Sequence, residues 1–512
     1  MNGHPKGFYL VSATETCFAA CFYGVRVILT MFMLLVLSFS HDLTSLIYGL
    51  FSGLVYIVPI LGGYISDRYW GNNRCIILGA VLMIIGSFLI SFSASMYSGS
   101  VPVRQMLTFS SQEIIFIAGL FFIIFGNGFF KPNNSVMLSK LYPPKSEMID
   151  SSFTLFYMIL NIGAFVSTVI VSFITGDAPE AFKYGFFVAG CFMIIGLVMF
   201  IALKKKLLVS PKGVLLGGKP DDDREWFDPE ELDFEILKKE GLQDLDLDDG
   251  SDKSLEAKEK LDKLTNNEKN DILKDKLTKV EKERIFVILL VIFFGTFFFV
   301  VFEQMGISLT YFAQDYVSLS LDNVISITIP PQVFQALNPI MVVVLAPIFV
   351  VLWAYLYKHN MNVSITHKIG LGLIVLALGF LIMCVPGSMI DGGVGKVSPL
   401  WLVLVYLFIT VSELTFVPNC QALIAILSPR KFLSLLMGCW FFASALANIT
   451  AGYLSSFYPE GEIEWLLGII PISNFVEFFL IFAIISGISG IIAILFTKPI
   501  NKRMHWNIQE DQ

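Results

Sequence analysis

The run "FYLVSATETCFAACFYGVRVILTMFMLLVL", residues 8–37, decides the fold class. At about 1.5 Å of rise per residue, a helix of this length more than covers the roughly 30 Å of hydrocarbon in a bilayer. It nevertheless carries an acid, Glu15, and a base, Arg26. A charge at the bilayer centre costs at least about 2.5–3.5 kcal/mol on insertion scales, so such groups persist where they face a wet interior lined by protein. We read the two charges first as part of a site and second as a structural ion pair.

Composition agrees with a membrane chain. Of 512 residues, 55% are apolar, 14% aromatic and 15% charged, and the mean hydropathy is +0.72. This is the profile of a multi-spanning membrane protein. The formal net charge of -7 is concentrated in one segment, and nothing supports nucleic-acid binding. Cysteines 17, 21, 75, 191, 384, 420 and 439 lie in or beside apolar runs without metal-type spacing, and read as small core residues. No cleavable signal peptide is expected, because the first apolar run extends well past the length of a signal core.

Twelve stretches are long enough to cross: 8–37, 43–65, 74–96, 112–136, 150–175, 184–203, 285–314, 330–357, 367–387, 399–426, 432–457 and 470–497. They divide the chain into an N-terminal six-helix bundle (1–203), a charged linker (204–284) and a C-terminal six-helix bundle with a short tail (285–512). The expectation is an all-α membrane protein of two equal halves. The linker is dense in both charges and cannot cross a bilayer; it reads foremost as a solvated connection and secondarily as a regulatory or docking element. With the N-terminus placed in the cytoplasm, twelve Lys and Arg fall in the inner loops and tails, against Arg104, Lys183 and Lys396 outside. That bias places both termini in the cytoplasm.

Few ionisable groups remain deep in the spans: Glu15, Arg26, Lys131, Glu303 and Glu413. Three acids and two bases from both halves approach neutrality only by converging on one interior. The alternative, a set of structural bridges, accounts less well for five groups on four helices. "GNGFFKPNNS" (126–135) sets Gly126, Gly128 and Pro132 around Lys131, and Pro418 follows Glu413. These predict backbone ladders broken beside the charges, as at transporter binding sites, with ordinary packing kinks as the plainer reading. Asn338 precedes Pro339 in the same manner. Two strings that fit the glycosylation pattern, Asn133–Ser135 and Asn448–Thr450, lie within spans and read as chance.

Several of these strings resemble the proton-dependent oligopeptide transporters, a branch of the major facilitator superfamily. "YIVPILGGYISDRYWGNNR" (56–74), "GNGFFKPNNS", "FTLFYMILNIGAF" (153–165), "FEQMGISL" (302–309), "QALNPI" (335–340), "SELTFVP" (412–418) and "MGCWFFASALANITAGY" (437–453) match that family's signatures in order. The resemblance spares only the linker. It implies a major facilitator fold and a membrane symporter that imports di- and tripeptides by alternating access. It also implies that the coupling ion is the proton and that no cofactor is used. By that resemblance Arg26 and Lys131 take the substrate carboxylate and Glu413 its amino group. Asn161 and Asn338 bond peptide groups, Tyr23, Tyr56, Trp440 and Ser444 line the walls, and Glu15, Lys131, Glu303 and Glu413 serve proton coupling. A cell-membrane location and a functional monomer follow from the same likeness. A carboxylate that is paired in one state and unpaired in another can load and release a proton.

Helix 1 departs from the family pattern. Anchoring on Phe22, Tyr23 and Gly24 keeps the first Glu at Glu15 but puts Phe18 and Ala19 where a Glu and an Arg are expected. Glu15 is left to pair with Lys131. Three alternatives stay open: coupling through the remaining groups, weak coupling, or facilitated transport. Gly49 stands where animal members have a histidine, and all five histidines (4, 41, 359, 367 and 505) lie in tails, loops or span ends. A carrier of another small organic anion or amino acid derivative is the rival reading, and a membrane nutrient sensor the remote one. No constellation of buried His, Cys and Asp suggests an enzyme.

Overall fold

A computed structural model describes residues 4–99, 102–142, 148–209, 215–218, 279–319, 329–359, 363–428, 433–459, 463–466 and 468–504. In chain order the long helices are α1 (Lys6–Leu35), α2 (His41–Ile65), α3 (Asn72–Ser95), α4 (Ser111–Ser139), α5 (Met148–Thr175) and α6 (Phe182–Leu207). The second half contains α7 (Lys279–Phe302), a short α8 (Ser308–Tyr316), α9 (Leu337–Lys358), α10 (Ile365–Asp391), α11 (Leu400–Leu427), α12 (Leu433–Ser455), α13 (Phe475–Leu495) and a final α14 (Thr497–Met504). Helices dominate because hydrocarbon offers the backbone no partner but itself. Among the described residues eleven helical segments are long and apolar enough to cross a bilayer, and α12 is a further helix of 23 residues.

The helix starts follow local chemistry. Ser40 caps α2 by accepting from Leu43 N, Ser110 caps α4 through Glu113 N, and Asn474 caps α13 through Glu477 N at 2.8 Å. Between helices, missing side chains permit close approach. A Cβ on Gly86 of α3 would stand 2.7 Å from Gly119 O of α4. Small residues at such crossings are how helices pack where no hydrophobic force separates protein from lipid. On the outside, α13 presents Leu480, Ile484, Ile488, Ile491 and Leu495 as one exposed stripe, and α4 presents Ile114, Ile117 and Phe121. These form the lipid-facing belt.

Four expectations require correction. The span 285–314 is not one helix: it breaks at a 3-10 turn over Glu303–Gly306, where an acid, an amide and a glycine replace the apolar run. The span 470–497 begins instead with a strand, because β1 (Glu464–Leu466) and β2 (Ile470–Ile472) form an antiparallel hairpin before α13. Helices α4 and α11 run unbroken through Pro132 and Pro418, each losing a single backbone bond that the turns on either side outweigh. Pro339 lies in the first turn of α9, where a missing N–H is harmless. The linker reading falls mostly on residues 219–278, outside the described residues; α6 and α7 extend into its two edges.

Candidate functional site

The deep charges fall into three groups by their hydrogen-bond and ion-pair partners. Nearest the end where the chain begins, Glu15 is 1% exposed and accepts a hydrogen bond from Asn134 Nδ2 at 2.6 Å. Lys131 lies on the same stretch of α4, with Nζ 5.7 Å from the centre of the Tyr56 ring. Among the described residues no carboxylate stands within ion-pair distance of Lys131. The expected Glu15–Lys131 pair is therefore not a contact pair, and Asn134 supplies the acid's direct partner. The two charges still interact electrostatically.

In the second group Arg26 Nη2 forms an ion pair with Glu303 Oε2, joining α1 to the break after α7. Arg26 also donates from Nε to the Tyr48 hydroxyl at 2.8 Å, and Glu303 is 3% exposed. Burying such a pair is tolerable only when further hydrogen bonds satisfy it, and Tyr48 provides one. The 3-10 turn that presents Glu303 is fastened to α12. Gln304 Oε1 accepts from Ser455 Oγ at 2.7 Å and from Ser308 Oγ at 2.5 Å, while Gln304 Nε2 donates to Ala451 O at 3.3 Å.

The third group centres on Glu413 of α11. Its Oε1 accepts from Tyr157 OH of α5 at 3.0 Å and its Oε2 from Asn338 Nδ2 of α9 at 2.8 Å. Both donors are neutral. Asn338 also donates to Thr410 Oγ1 at 3.1 Å, which fixes the amide plane. Asn161 sits one turn from Tyr157 and donates to that residue's carbonyl at 2.9 Å. Tyr23 of α1 is in electrostatic reach of Arg26, Glu413, Glu303 and Glu15, so groups from both halves share one region.

Trp440 and Ser444 are buried in α12. Trp440 is 2% exposed, and a Cβ on Gly295 of α7 would meet its ring at 2.7 Å; Phe299 packs edge-on at 5.5 Å. Ser444 is buried and bonds the carbonyl of Trp440. Gly295 leaves room for the Trp440 indole at the crossing of α7 and α12. Tyr48, Tyr157 and Asn134 were not singled out from sequence. Tyr157 and Asn134 lie inside the quoted signature strings, and Tyr48 sits two turns before Tyr56 on α2.

The two halves are bound together at the end where α1 passes into α2. Thr30 Oγ1 donates to Gly306 O at 2.9 Å, Ser45 and Tyr311 hydroxyls lie 3.0 Å apart, and Gln332 Nε2 donates to Thr175 Oγ1 at 3.1 Å. Gly49 of α2 faces Gly452 of α12 so closely that an added Cβ would come within 2.8 Å of Gly452 Cα. A histidine has no space there.

A helical membrane protein whose buried charges meet between two bundles has the build of a solute transporter. A family model described as POT family matches residues 73–207 and 240–470, and the chain belongs to that family. Dipeptide and tripeptide permease B of Shigella dysenteriae is 30% identical over 89% of this chain and 88% of its own length. The permease of the same name from Photorhabdus asymbiotica is 29% identical over 98% of this chain and 96% of its own. Among solved structures, a variant of peptide transporter POT in complex with alafosfalin superposes with TM-score 0.75 at 25% identity, covering 99% of this chain and 97% of its own. A POT family transporter in complex with 5-aminolevulinic acid gives TM-score 0.74 at 22% identity, covering 98% of each chain. The fold is therefore that of the family, with twelve spanning helices in two bundles.

Proposed function

We propose that the protein imports di- and tripeptides by proton symport, alternating access between its two bundles. One observation carries the reading. Lys131 in the first half has no carboxylate at ion-pair distance among the described residues, while Glu413 in the second half is held by neutral donors alone. A zwitterion supplies the missing partner at each end. Desolvating a charged ligand is costly unless opposite charges replace its water, and this arrangement replaces them at both termini. Side chains between the termini meet Tyr23, Tyr56 and other walls without directional bonds, so tolerance of many side chains follows. Asn161 and Asn338 are placed to bond the peptide unit.

Arg26 is engaged by Glu303. A proton arriving on Glu303 removes the ion pair, frees the guanidinium for the substrate carboxylate and loosens the contact between α1 and α7. Return of the pair after the bundles rock expels the proton. Glu15 and its Asn134 bond occupy the other end of the cavity, where Lys131 is held. The chain works in the cell membrane, an inner membrane in bacteria, as a monomer with both termini in the cytoplasm.

Uptake of labelled dialanine into liposomes, with and without an inward proton gradient, tests this. Gradient-stimulated accumulation is expected. Equal uptake under both conditions refutes symport while leaving peptide transport intact. Facilitated transport, or carriage of another small amine-bearing anion, is the second reading. The Phe18 ring stacked on Phe130 at 4.6 Å, where the family pattern carries an ion pair, favours that altered coupling.

A further inference from the structure

The end of the molecule where α1 passes into α2 carries two loops that present large apolar side chains on their outer surface. In the first half, residues 102–109 connect α3 to α4. Arg104 turns inward to the fully buried Glu113 at 2.6 Å, and Thr108 bonds the same carboxylate through N and Oγ1. Val103, Met106 and Phe109 stand outside at 72%, 79% and 66% exposure, beside Pro102, Gln105 and Thr108, which are exposed too. The loop is held in this pose by backbone bonds from Arg104 N to Ser38 O at 2.7 Å and from Ser40 N to Arg104 O at 2.9 Å. In the second half, the β1–β2 hairpin buries Leu466 and Ile472 and turns Trp465 and its cross-strand neighbour Pro471 outward, with Ile469 exposed at 76%. Large exposed apolar patches mark an interaction surface.

We propose that these two loops seat in the headgroup interface of the bilayer, one anchor for each half of the protein. Three features select lipid over another occupant. Both loops are covalently tied to spanning helices: Phe109 precedes α4 by two residues, and Ile472 lies three residues before α13. At about 3.3–3.6 Å per residue Phe109 stays within about 7 Å of the start of α4 and Ile472 within about 11 Å of the start of α13. Each continues a lipid-facing stripe, Phe109 running into Ile114, Ile117 and Phe121, and the hairpin into Leu480, Ile484 and Ile488. The α13 start beneath the hairpin is pinned by Asp391 of α10, which accepts from Phe475 N and Val476 N at 3.1 and 3.2 Å, so the hairpin's height is fixed by the bundle. Tryptophan beside aliphatic side chains is the composition that favours the interface. Two anchors on separate halves give the bilayer a grip on each bundle as they rock.

The test uses the full chain in liposomes containing spin-labelled lipids. The contribution of Trp465 to the emission is taken as the difference between wild type and Trp465→Phe, and a reporter for the other loop is Phe109→Trp in the Trp465→Phe background. Labels placed near the headgroup should quench both reporters about twofold more than labels near the chain end. Soluble iodide should leave both unchanged. Quenching by iodide without effect of the lipid labels overturns the proposal, as does stronger quenching by the deep labels. Protection from both quenchers, with chains cross-linking through Ile469→Cys, also overturns it, in favour of a second copy of the protein on this surface.

Discussion

The hydroxyl of Tyr157 donates to Oε1 of Glu413 at 3.0 Å, a bond between halves of the chain separated by 256 residues. It joins α5 to α11 at Glu413, so it must break or lengthen whenever the bundles part there. A hydrogen bond to a charged group is worth about 1.5–3 kcal/mol. Tyr157→Phe should therefore raise the KM for dialanine roughly tenfold by leaving the carboxylate poorly oriented, while Glu413→Gln should abolish uptake. A KM for Tyr157→Phe equal to that of wild type would remove this bond from the binding mechanism.

Lys131 and Glu413 as opposite poles make a prediction about ligand ends rather than ligand side chains. Wild-type protein should bind dialanine far better than its C-terminal amide. Lys131→Ala should bind dialanine weakly and with a reduced preference for the free carboxylate, Arg26 alone remaining to receive it, and should show no gradient-driven uptake. Equilibrium binding with the two ligands separates the carboxylate's partner from a general loss of fold. If Lys131→Ala prefers the free carboxylate as strongly as wild type does, Arg26 and not Lys131 receives that end.

Glu303 tests coupling. Removing one partner of a buried ion pair costs about 3–5 kcal/mol because the other is left uncompensated. Glu303→Gln keeps the shape but removes both the proton site and the partner of Arg26. Accumulation against a concentration gradient should disappear, whereas exchange of labelled for unlabelled dialanine across the same membrane should persist. Retained accumulation would move proton coupling to Glu15 or Glu413.

The place taken by histidine in animal relatives is Gly49, and the reason is steric. The backbones of α2 and α12 meet there, Gly49 against Gly452, with Asn448 O only 3.0 Å from where a Cβ would stand. Gly49→Ala should lower the thermal midpoint of the detergent-solubilised protein, and Gly49→His should fail to give a monodisperse peak in size-exclusion chromatography. A folded, active Gly49→His protein would show that the two helices can separate at this crossing.

Long apolar runs made the spanning helices legible, and the expense of a buried charge picked out Glu15, Arg26, Lys131, Glu303 and Glu413 without coordinates. Their neutral partners carried no such mark. Tyr48, Tyr157 and Asn134 sit in helices rich in similar side chains, and only three-dimensional placement distinguishes a tyrosine that holds a carboxylate from one that packs. Local rules misjudged the backbone in both directions. Pro132 and Pro418 signalled breaks that packed neighbours suppress, whereas the break at Glu303–Gly306 has no proline at all and is held by Gln304 and Ser455. The helical face of Trp440 could be inferred from its spacing, but not what stands opposite it, which is Gly295.

Phe18 separates architecture from mechanism. Its ring, 2% exposed, lies parallel to Phe130 at 4.6 Å and to Phe22 at 6.0 Å, so an aromatic stack fills the space where the family pattern places ionised side chains. Truncating a buried phenylalanine typically costs about 3–5 kcal/mol, the lost burial plus the cavity left behind. Phe18→Ala should accordingly lower the thermal midpoint while measurable dialanine transport survives, because none of the groups assigned to peptide or proton depends on that ring for a hydrogen bond. The decisive comparison is the ratio of uptake with and without a proton gradient, measured for wild type and Phe18→Ala at equal amounts of folded protein. An unchanged ratio means that coupling runs through Glu303 and the other acids alone. A ratio that collapses to one in Phe18→Ala would mean that the aromatic stack itself transmits the proton's effect from α1 to α4, and the division of roles proposed for Glu303 and Glu413 would have to be redrawn.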